Sequence, residues 1–255
     1  MQSPSQSHLI LIPSYNAGAR ILETVIQARE YWNPVWVVVD GSDDGSTEQL
    51  LKAQQNDPGL RVFVLPRNAG KGAALYYGLR QAVGQGFTHV LTMDADGQHS
   101  AACLPRLIEQ SQQAPEAMIL GRPVFDGTAP RERIYGRKLC NWWVNLETLW
   151  SGIGDSLYGL RVYPAPALTN IMKSHRWMRR FDFDAEAVVR MTWAGIPARN
   201  IDTPVRYFLL GEGGVSHFRY VRDNLLLGWM HVRLLAEFVL RLPLIFWRRA
   251  RSHQT

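Results

Sequence analysis

The chain has 255 residues, of which 46% are hydrophobic and 20% are charged, a composition typical of one large globular domain or two small ones. Its 28 Lys and Arg residues against 22 Asp and Glu residues give a formal net charge of +6, which favours an anionic partner such as nucleic acid, a phosphorylated metabolite or anionic lipid. The two cysteines, Cys103 and Cys140, are far apart, which excludes a disulfide framework and a Cys-rich zinc site.

The N-terminal residues 1–7 are polar and lack the basic region and apolar core of a signal peptide. We predict a flexible terminus there. No stretch of the sequence reaches the roughly 18 uncharged apolar residues that a membrane-spanning helix needs. These two features predict a cytoplasmic protein.

Strand and helix patterns alternate along the first half of the chain. The predicted strands, each a buried apolar run, are residues 9–12, 36–39, 62–65, 89–93 and 118–120. The predicted helices, each with capping or spacing signals, are residues 20–28, 71–83 and 101–113, and a segment that begins at residue 47. This alternation predicts an α/β fold with a mostly parallel sheet and helices on both faces.

Polar residues follow each of the first four predicted strands. These clusters are residues 13–16, 40–44, 67–72 and 94–96. The C-terminal ends of parallel strands meet at one edge of the sheet, where open α/β sheets bind ligands. In the third cluster, Gly70, Lys71 and Gly72 open a helix and could present backbone N–H groups and an ammonium to a phosphate. Each cluster alone would also suit a turn, but four at equivalent positions favour a nucleotide site.

Two carboxylates one residue apart, Asp94 and Asp96, follow the fourth predicted strand. Close carboxylates repel each other unless a cation lies between them. Hard divalent cations such as Mg²⁺ take oxygen ligands and share them with phosphates. The pair therefore indicates either a metal site facing a phosphorylated substrate or an Asp-rich turn.

Four short motifs in the first half carry a family resemblance. They read Ile-Pro-Ser-Tyr-Asn at 12–16, Val-Val-Asp-Gly-Ser at 38–42, Asn-Ala-Gly-Lys-Gly at 68–72 and Asp-Ala-Asp-Gly-Gln-His at 94–99. In this order they resemble family 2 glycosyltransferases with the GT-A fold, in the branch of dolichol- and polyprenyl-phosphate sugar transferases. Further segments that look like that branch are residues 133–150, 155–161 and 181–186.

The resemblance implies a single GT-A domain at residues 8–220, and the pattern of the residues that follow predicts a C-terminal amphipathic helix and basic tail at residues 221–255. The resemblance also implies inverting transfer from a nucleotide-diphosphate sugar with a divalent metal, Mg²⁺ or Mn²⁺. By position, Asp94 and Asp96 would hold that metal, and Asp96 would be a catalytic residue. The residues that would bind the nucleotide sugar are Pro13, Tyr15, Asn16, Asp40, Lys71, Asp94 and Gln98.

Two positions depart from the family pattern. The family usually has Glu after Tyr-Asn, where this chain has Ala17, and two adjacent acids before Gly-Ser, where it has Val39 and Asp40. The departures leave the identity of the sugar and the base open. They are also the only support for an alternative of another class, a nucleotide-binding module without transferase activity.

A segment rich in arginine and tryptophan at residues 121–151 predicts the acceptor side. Cations suit a phosphate, and tryptophan suits a surface that is apolar on one side and wet on the other. We therefore expect a lipid-type acceptor, polyprenyl phosphate, with a hydroxyl or carboxylate of a different amphiphile as the alternative. The arginines that the resemblance assigns to phosphates, each of which could also be a solvated surface residue, are Arg122, Arg133 and Arg161.

Residues 181–186 contain three acids. Transfer to a hydroxyl requires a carboxylate that accepts the proton, whereas a phosphate dianion needs no strong base. We predict Asp184 or Glu186 as the catalytic acid that faces the site, acting as a base or positioning the acceptor. The alternative is that these acids cap the helix that follows. A glycine-rich loop ending at Ser216 and His217 could close over the diphosphate or serve as a linker.

The C-terminal segment has a helical pattern in which Arg233, Glu237 and Arg241 form one polar stripe. Pro243 should end or kink this helix. The pattern and the arginines after it favour a helix in the membrane interface, peripheral on the inner face of the cell membrane. A helix packed on the domain or paired with another subunit is the alternative. The basic residues cluster with tryptophans and leucines, so we predict no nucleic-acid partner.

Overall fold

The computed structural model describes residues 3–125, 131–205 and 220–252, except for the side chains of residues 131–133, 220, 244 and 246–252. The strands are β1 (His8–Ser14), β2 (Val35–Asp40), β3 (Leu60–Leu65), β4 (His89–Thr92), β5 (Met118–Phe125), β6 (Arg161–Pro164) and β7 (Ala198–Val205). The helices are α1 (Arg20–Tyr31), α2 (Ser46–Asn56), α3 (Lys71–Gly84), α4 (Leu104–Gln113), α5 (Arg131–Glu147), α6 (Ala165–Ser174), α7 (Phe183–Trp193) and α8 (Tyr220–Ser252).

The strands form one sheet in the order β3-β2-β1-β4-β6-β5-β7. The first four pair in parallel, β6 runs antiparallel to β4 and β5, and β7 is parallel to β5. All residues of β1, β2 and β4 are buried, as expected for strands covered on both faces. The predicted α/β class and mostly parallel sheet are confirmed, and β6 and β7 are strands that we did not predict.

Two apolar cores lie on the two faces of the sheet. Alternate residues of β1 belong to different cores, with Leu9 and Leu11 on one side and Ile10 and Ile12 on the other, because successive side chains of a strand point to opposite faces. The first core takes buried residues from α3, α5, α6, α7 and α8, and the second takes them from α1, α2 and α4. Helices therefore cover both faces, as predicted.

Helix α8 packs on the domain through Met230, Leu234 and Phe238, which join the first core. Pro243 lies inside α8, which continues to Ser252, so of the two predicted alternatives the helix does not end at Pro243, and a kink there stays a prediction. The predicted polar stripe faces the protein and not the solvent, because Arg233 and Glu237 pair with residues of α7. In the part of the chain that the structure describes, no helix has the length and apolar content that crossing a membrane requires.

A pair of stacked histidines lies at the start of the sheet and predicts acid sensitivity. His8 of β1 and His89 of β4 are register partners, with ring centroids 4.5 Å apart. Burial, with a contribution from His89, lowers the pKa of His8 to about 4. Protonation of His8 therefore opposes folding, so its contribution to stability is complete above pH 6.5 and is lost as the pH falls toward 4.

We expect the free energy of unfolding to fall by about 2 kcal/mol more between pH 7 and pH 5 in the wild type than in His8→Asn. Urea titrations of both proteins at the two pH values measure this difference. Equal losses in the two proteins would contradict the assignment to His8. The comparison cancels the carboxylates, which titrate in both.

Candidate active site

The candidate site lies at the edge of the sheet where β1, β2 and β4 end, and its centre is Lys71. The ammonium Nζ lies 2.7 Å from Oδ1 of Asp94 and 2.6 Å from Oδ2 of Asp184. Burial alone would lower the pKa of Lys71, but the charges of Asp184 and Asp94 outweigh it and raise that pKa. The same ammonium offsets burial at Asp94 and holds the pKa of Asp94 below its usual value. Lys71 therefore neutralises much of the charge of Asp94.

Asp96 is the acid of this site whose charge is least compensated. Its Oδ1 accepts a hydrogen bond from the backbone N–H of Gln98 at 3.0 Å. Burial and the negative charge of Asp94 nevertheless raise the pKa of Asp96 to about 6. A carboxylate in this state favours an additional cation beside it.

The two acids fit a divalent cation whose coordination is completed by a ligand. In the described ranges of the chain, no cluster of three or more His, Cys, Asp or Glu side chains could hold a metal by itself. Mg²⁺ is commonly bound by one or two carboxylates together with substrate phosphates and water. Asp94 and Asp96 can supply those carboxylates, and a cation beside them would offset the burial and the charge of Asp94 that raise the pKa of Asp96.

Hydrogen bonds of Asn16 connect the loops after β1 and β2. The Asn16 amide donates to Oδ1 of Asp43 at 2.7 Å, and its carbonyl accepts from the backbone N–H of Asp43 at 2.9 Å. The backbone N–H of Asn16 donates to Oγ of Ser42 at 3.0 Å. Tyr15 lies in the same loop and is half-buried, whereas Pro13 is buried within β1. Pro13 therefore supports the loop from inside the sheet.

Asp40 connects the end of β2 to the loop before α3. Its two carboxylate oxygens accept hydrogen bonds from the backbone N–H groups of Ala69 at 2.9 Å and Gly70 at 2.7 Å. In this structure Asp40 therefore fixes the loop that presents Lys71. The predicted nucleotide contact at Asp40 remains a prediction.

Gln98 lies beside an open groove at the same edge of the sheet. The groove is also lined by Arg20 and Tyr31 of α1 and by Phe125 and Val205 at the ends of β5 and β7. His99, next to it, is buried, and its Nδ1 accepts from the backbone N–H of Asp94 at 3.3 Å. Burial lowers the pKa of His99 to about 4, so this ring is neutral at pH 7 and supports the loop that carries the two acids.

Arg161 does not reach the open side of the site. Its side chain is 0% exposed, and its guanidinium donates to the backbone carbonyls of Asp184 and Asp155 and to the hydroxyl of Tyr163. The prediction that Arg161 contacts a phosphate is contradicted by this burial. Buried beneath Asp184, it holds in place the residue that pairs with Lys71.

Glu186 is also turned away from the site. Its carboxylate is fully buried and pairs with Arg190 at 2.7 Å and with Arg233 of α8 at 3.0 Å. Arg190 in turn pairs with Glu237 of α8 at 2.8 Å. Of the two predicted acids, Asp184 therefore lies in the site, and Glu186 joins α7 to α8.

The remaining acceptor residues are not brought to the two aspartates. Arg122 is exposed on β5 and forms a bidentate pair with Asp202 of the neighbouring strand β7. The side chain of Arg133 and the loop with Ser216 and His217 lie outside the described residues. These assignments stay predictions.

Gly159 is a site residue that the sequence reasoning missed. A Cβ atom added at Gly159 would lie 2.3 Å from Oδ2 of Asp94, so the close approach of the backbone to this carboxylate requires glycine. The one local signal for this role in the sequence was a glycine directly before Leu160 and Arg161. The contact between Lys71 and Asp184, separated by 113 positions, had no local signal.

We expect Gly159→Ala to lower the rate of the sugar transfer that the family resemblance implies roughly 100-fold, because a displacement of about 1 Å in a catalytic group has effects of that size. The methyl group displaces Asp94, whereas the fold should lose only about 1–3 kcal/mol. Gly84→Ala is the matched control, since its added Cβ meets nothing within 4 Å. Steady-state kinetics and urea unfolding measure both effects, and a wild-type rate in Gly159→Ala would contradict the predicted role.

The sequence also matches a known protein family over most of its length. Residues 9–184 match the family model described as glycosyl transferase family 2, which is well over half of the chain. The chain belongs to glycosyl transferase family 2. The predicted family and the predicted transferase class are confirmed.

Two relatives in this family are similar over most of their length. The undecaprenyl-phosphate mannosyltransferase of Micrococcus luteus is 30% identical over 224 residues, which are 82% of this chain and 87% of the relative. The polyprenol monophosphomannose synthase of Mycolicibacterium smegmatis is 30% identical over 200 residues, which are 76% of this chain and 73% of the relative. Both names describe sugar transferases of the predicted branch.

The fold of this family 2 chain is also found in a solved structure. Glucosyl-3-phosphoglycerate synthase from Mycobacterium tuberculosis, in complex with Mn²⁺, uridine diphosphate and phosphoglyceric acid, superposes with a TM-score of 0.64. The alignment covers 93% of this chain and 78% of that chain at 16% identity. At this identity the likeness shows the shared fold alone.

Proposed function

We propose that this family 2 glycosyltransferase moves a sugar, with inversion, from a nucleotide-diphosphate sugar to polyprenyl phosphate. The names of the two relatives, which include an undecaprenyl-phosphate mannosyltransferase, support a lipid-phosphate acceptor. The observation that carries the proposal is the pair of neighbouring carboxylates of Asp94 and Asp96, of which Asp96 forms no ion pair among the described residues. A carboxylate whose pKa is raised to about 6 lies beside Asp94, which Lys71 already neutralises, and this pair suits a cation shared with a diphosphate.

The donor side follows from these residues. Asp94 and Asp96 would hold the divalent metal, Mg²⁺ or Mn²⁺, which when bound would neutralise charge on the departing diphosphate. Lys71, at the N-terminus of α3, adds a cation at the same edge.

The ion pairs of the two predicted bases support the acceptor class. Glu186 is buried in ion pairs, and Asp184 pairs with Lys71 at 2.6 Å. Among the described residues, neither predicted base is therefore free to take a proton from a hydroxyl. A phosphate dianion attacks the anomeric carbon without losing a proton, so this arrangement favours a phosphate acceptor.

We place the enzyme at the membrane that contains such a lipid, peripheral on its cytoplasmic face. The donor nucleotide sugar would reach the site from the solvent. The acceptor phosphate would approach from the lipid headgroup layer, with the apolar chain of the acceptor remaining in the membrane.

A donor screen tests the proposed reaction. Purified protein is incubated with individual nucleotide-diphosphate sugars, Mn²⁺ or Mg²⁺, and polyprenyl phosphate in detergent, and the lipid is analysed by mass spectrometry. We expect at least one donor to add one sugar residue to the lipid, and EDTA to remove the activity. Free polyprenol, which offers a hydroxyl in place of the phosphate, is the matched control and should give no product.

Two outcomes would overturn parts of the proposal. A product on polyprenol or on another hydroxyl- or carboxylate-bearing amphiphile would show that the acceptor class is wrong. Nucleotide binding without product from any donor and acceptor would favour the binding module without transferase activity.

A further inference from the structure

The charged face of α8 is turned toward the protein. The titratable side chains on this face are Asp223, His231, Arg233, Glu237 and Arg241. Asp223 is buried, His231, Arg233 and Glu237 pair with acids or an arginine of α5 and α7, and Arg241 pairs with Glu237 within α8. A helix on a water-soluble surface normally has the opposite arrangement, with charges toward the solvent.

The outward face of α8 is apolar over about 28 Å, the length of 19 helical steps. Leu225 is 69% exposed, Trp229 52% and Leu240 83%. The exposed large apolar residues of this stripe, spaced mostly by three or four positions, are Val221, Leu225, Trp229, Val232, Val239 and Leu240. Contiguous exposed apolar surface of this kind marks a site of interaction with a protein or a membrane.

Helix α5 packs beside α8 and has a second exposed apolar stripe. Its residues Tyr135, Leu139 and Trp142 are exposed and lie at helical spacing on one side. Trp142 contacts Trp143 edge to face at 4.9 Å, and Trp143 lies 6.1 Å from the ring of His231 on α8. We name the two exposed stripes together the α5–α8 face.

The charges of the α5–α8 face identify its partner. Among the side chains that the structure describes on these two helices, Lys138 and Arg222 are exposed and no acid is. Arg248, Arg249 and Arg251 follow in the sequence. A second copy of the chain would bring like charges together, whereas anionic headgroups complement them. Tryptophan is also enriched where apolar and wet layers meet.

We propose that the α5–α8 face docks on the surface of an anionic lipid bilayer. The inference deepens the membrane location in the proposed function and rests on it. Insertion of the exposed apolar side chains into the headgroup boundary provides the affinity, and the basic residues select anionic lipid. Docking needs neither the sugar donor nor polyprenyl phosphate, so it can be tested separately from sugar transfer.

Vesicle sedimentation of the full chain tests the docking. We expect binding to vesicles of phosphatidylglycerol and phosphatidylcholine to be roughly tenfold or more tighter than to phosphatidylcholine alone, and to weaken in high salt. Leu225→Glu and Val232→Glu should each weaken binding roughly tenfold or more, because each removes apolar contact and adds repulsion. Ile26→Glu, on α1 across the sheet and 53% exposed, should bind like the wild type.

Three outcomes would overturn the docking proposal. They are no binding of the wild type to anionic vesicles, undiminished binding of both α8 variants, or self-association without lipid that those variants abolish. Circular dichroism checks that the variants are folded. Sugar transfer to polyprenyl phosphate in detergent reports on the proposed function alone, so activity without vesicle binding would refute only the docking face.

Discussion

Asp96→Asn is expected to lower the rate of sugar transfer by at least about 100-fold while leaving the fold as stable as the wild type or more stable. In the proposed site, an amide cannot replace the carboxylate that holds the metal at the donor diphosphate, and losses of this size are typical when one electrostatic group of a catalytic site is removed. The stability of the variant follows from the pKa of Asp96, which burial and Asp94 raise to about 6.

The sign of that stability effect is fixed by the direction of the pKa shift. An acid with a raised pKa contributes stability that is complete below its unfolded pKa, near 3.8, and is lost as the pH rises through about 6. At pH 7 the ionised carboxylate of Asp96 therefore costs the ligand-free protein about 1–3 kcal/mol, which the amide removes. The melting temperature of Asp96→Asn should rise by a few degrees.

Asp57→Asn is the matched control for this prediction. Asp57 lies before β3 and accepts two hydrogen bonds from Arg29, far from the edge of the sheet where the site lies. This variant should lose stability and keep its rate of transfer, the opposite of Asp96→Asn. Steady-state kinetics and thermal melts with and without Mn²⁺ and nucleotide diphosphate distinguish the two, since only the wild type and Asp57→Asn should be stabilised by that pair of ligands. A fully active Asp96→Asn would remove Asp96 from the site.

Glu186→Gln is expected to lower the free energy of unfolding by about 3–5 kcal/mol, the usual effect of removing one partner from a buried ion pair. The substitution leaves the guanidiniums of Arg190 and Arg233 without their shared carboxylate. The same variant should retain its rate of transfer within about tenfold at temperatures where it is folded, because its carboxylate does not face the acceptor.

A second substitution separates the structural role of Glu186 from a catalytic one. Arg233→Met in the Glu186→Gln background removes the cation that has lost its partner and should restore part of the stability, since apolar replacement of a buried pair is often neutral. Urea unfolding and initial rates measure both properties. Unchanged stability with a large loss of rate in Glu186→Gln would instead identify Glu186 as the base.

The first half of the fold was predictable because its signals are local. The runs that form β1, β2, β3 and β4 are continuous and apolar, since helices cover both faces of those strands. Strand β6 gave no such signal, because its four residues include Arg161 and Pro164. The guanidinium of this buried arginine donates to the backbone carbonyl of Asp184, 23 positions away, and to that of Asp155.

Periodicity showed which residues of α8 share a face but not the direction in which that face points. Arg233 and Glu237 form the predicted stripe, yet they face α7 because partners 47 positions away neutralise them. The same limit applies to the acids of α7. Asp184 pairs with Lys71 and Glu186 pairs with Arg233, and these distant partners distinguish the roles of the two acids. The family motifs pointed to Asp94 and Asp96, but contacts between distant segments determine which acids are paired with a cation.

The ion pairs between α7 and α8 have a practical consequence for purification. The pair of Glu186 with Arg233 is buried, and salt screens buried pairs far less than exposed ones, so concentrated salt should weaken the proposed binding to lipid while α8 stays packed on the domain. Alkali should act differently. Burial tends to lower the pKa of His231, but hydrogen bonds to Cys140 and Glu147 outweigh burial and raise that pKa to about 9. The stability from that charge is present below pH 6.5 and is lost above about 9, so alkaline extraction should loosen α8 from α5 where salt does not.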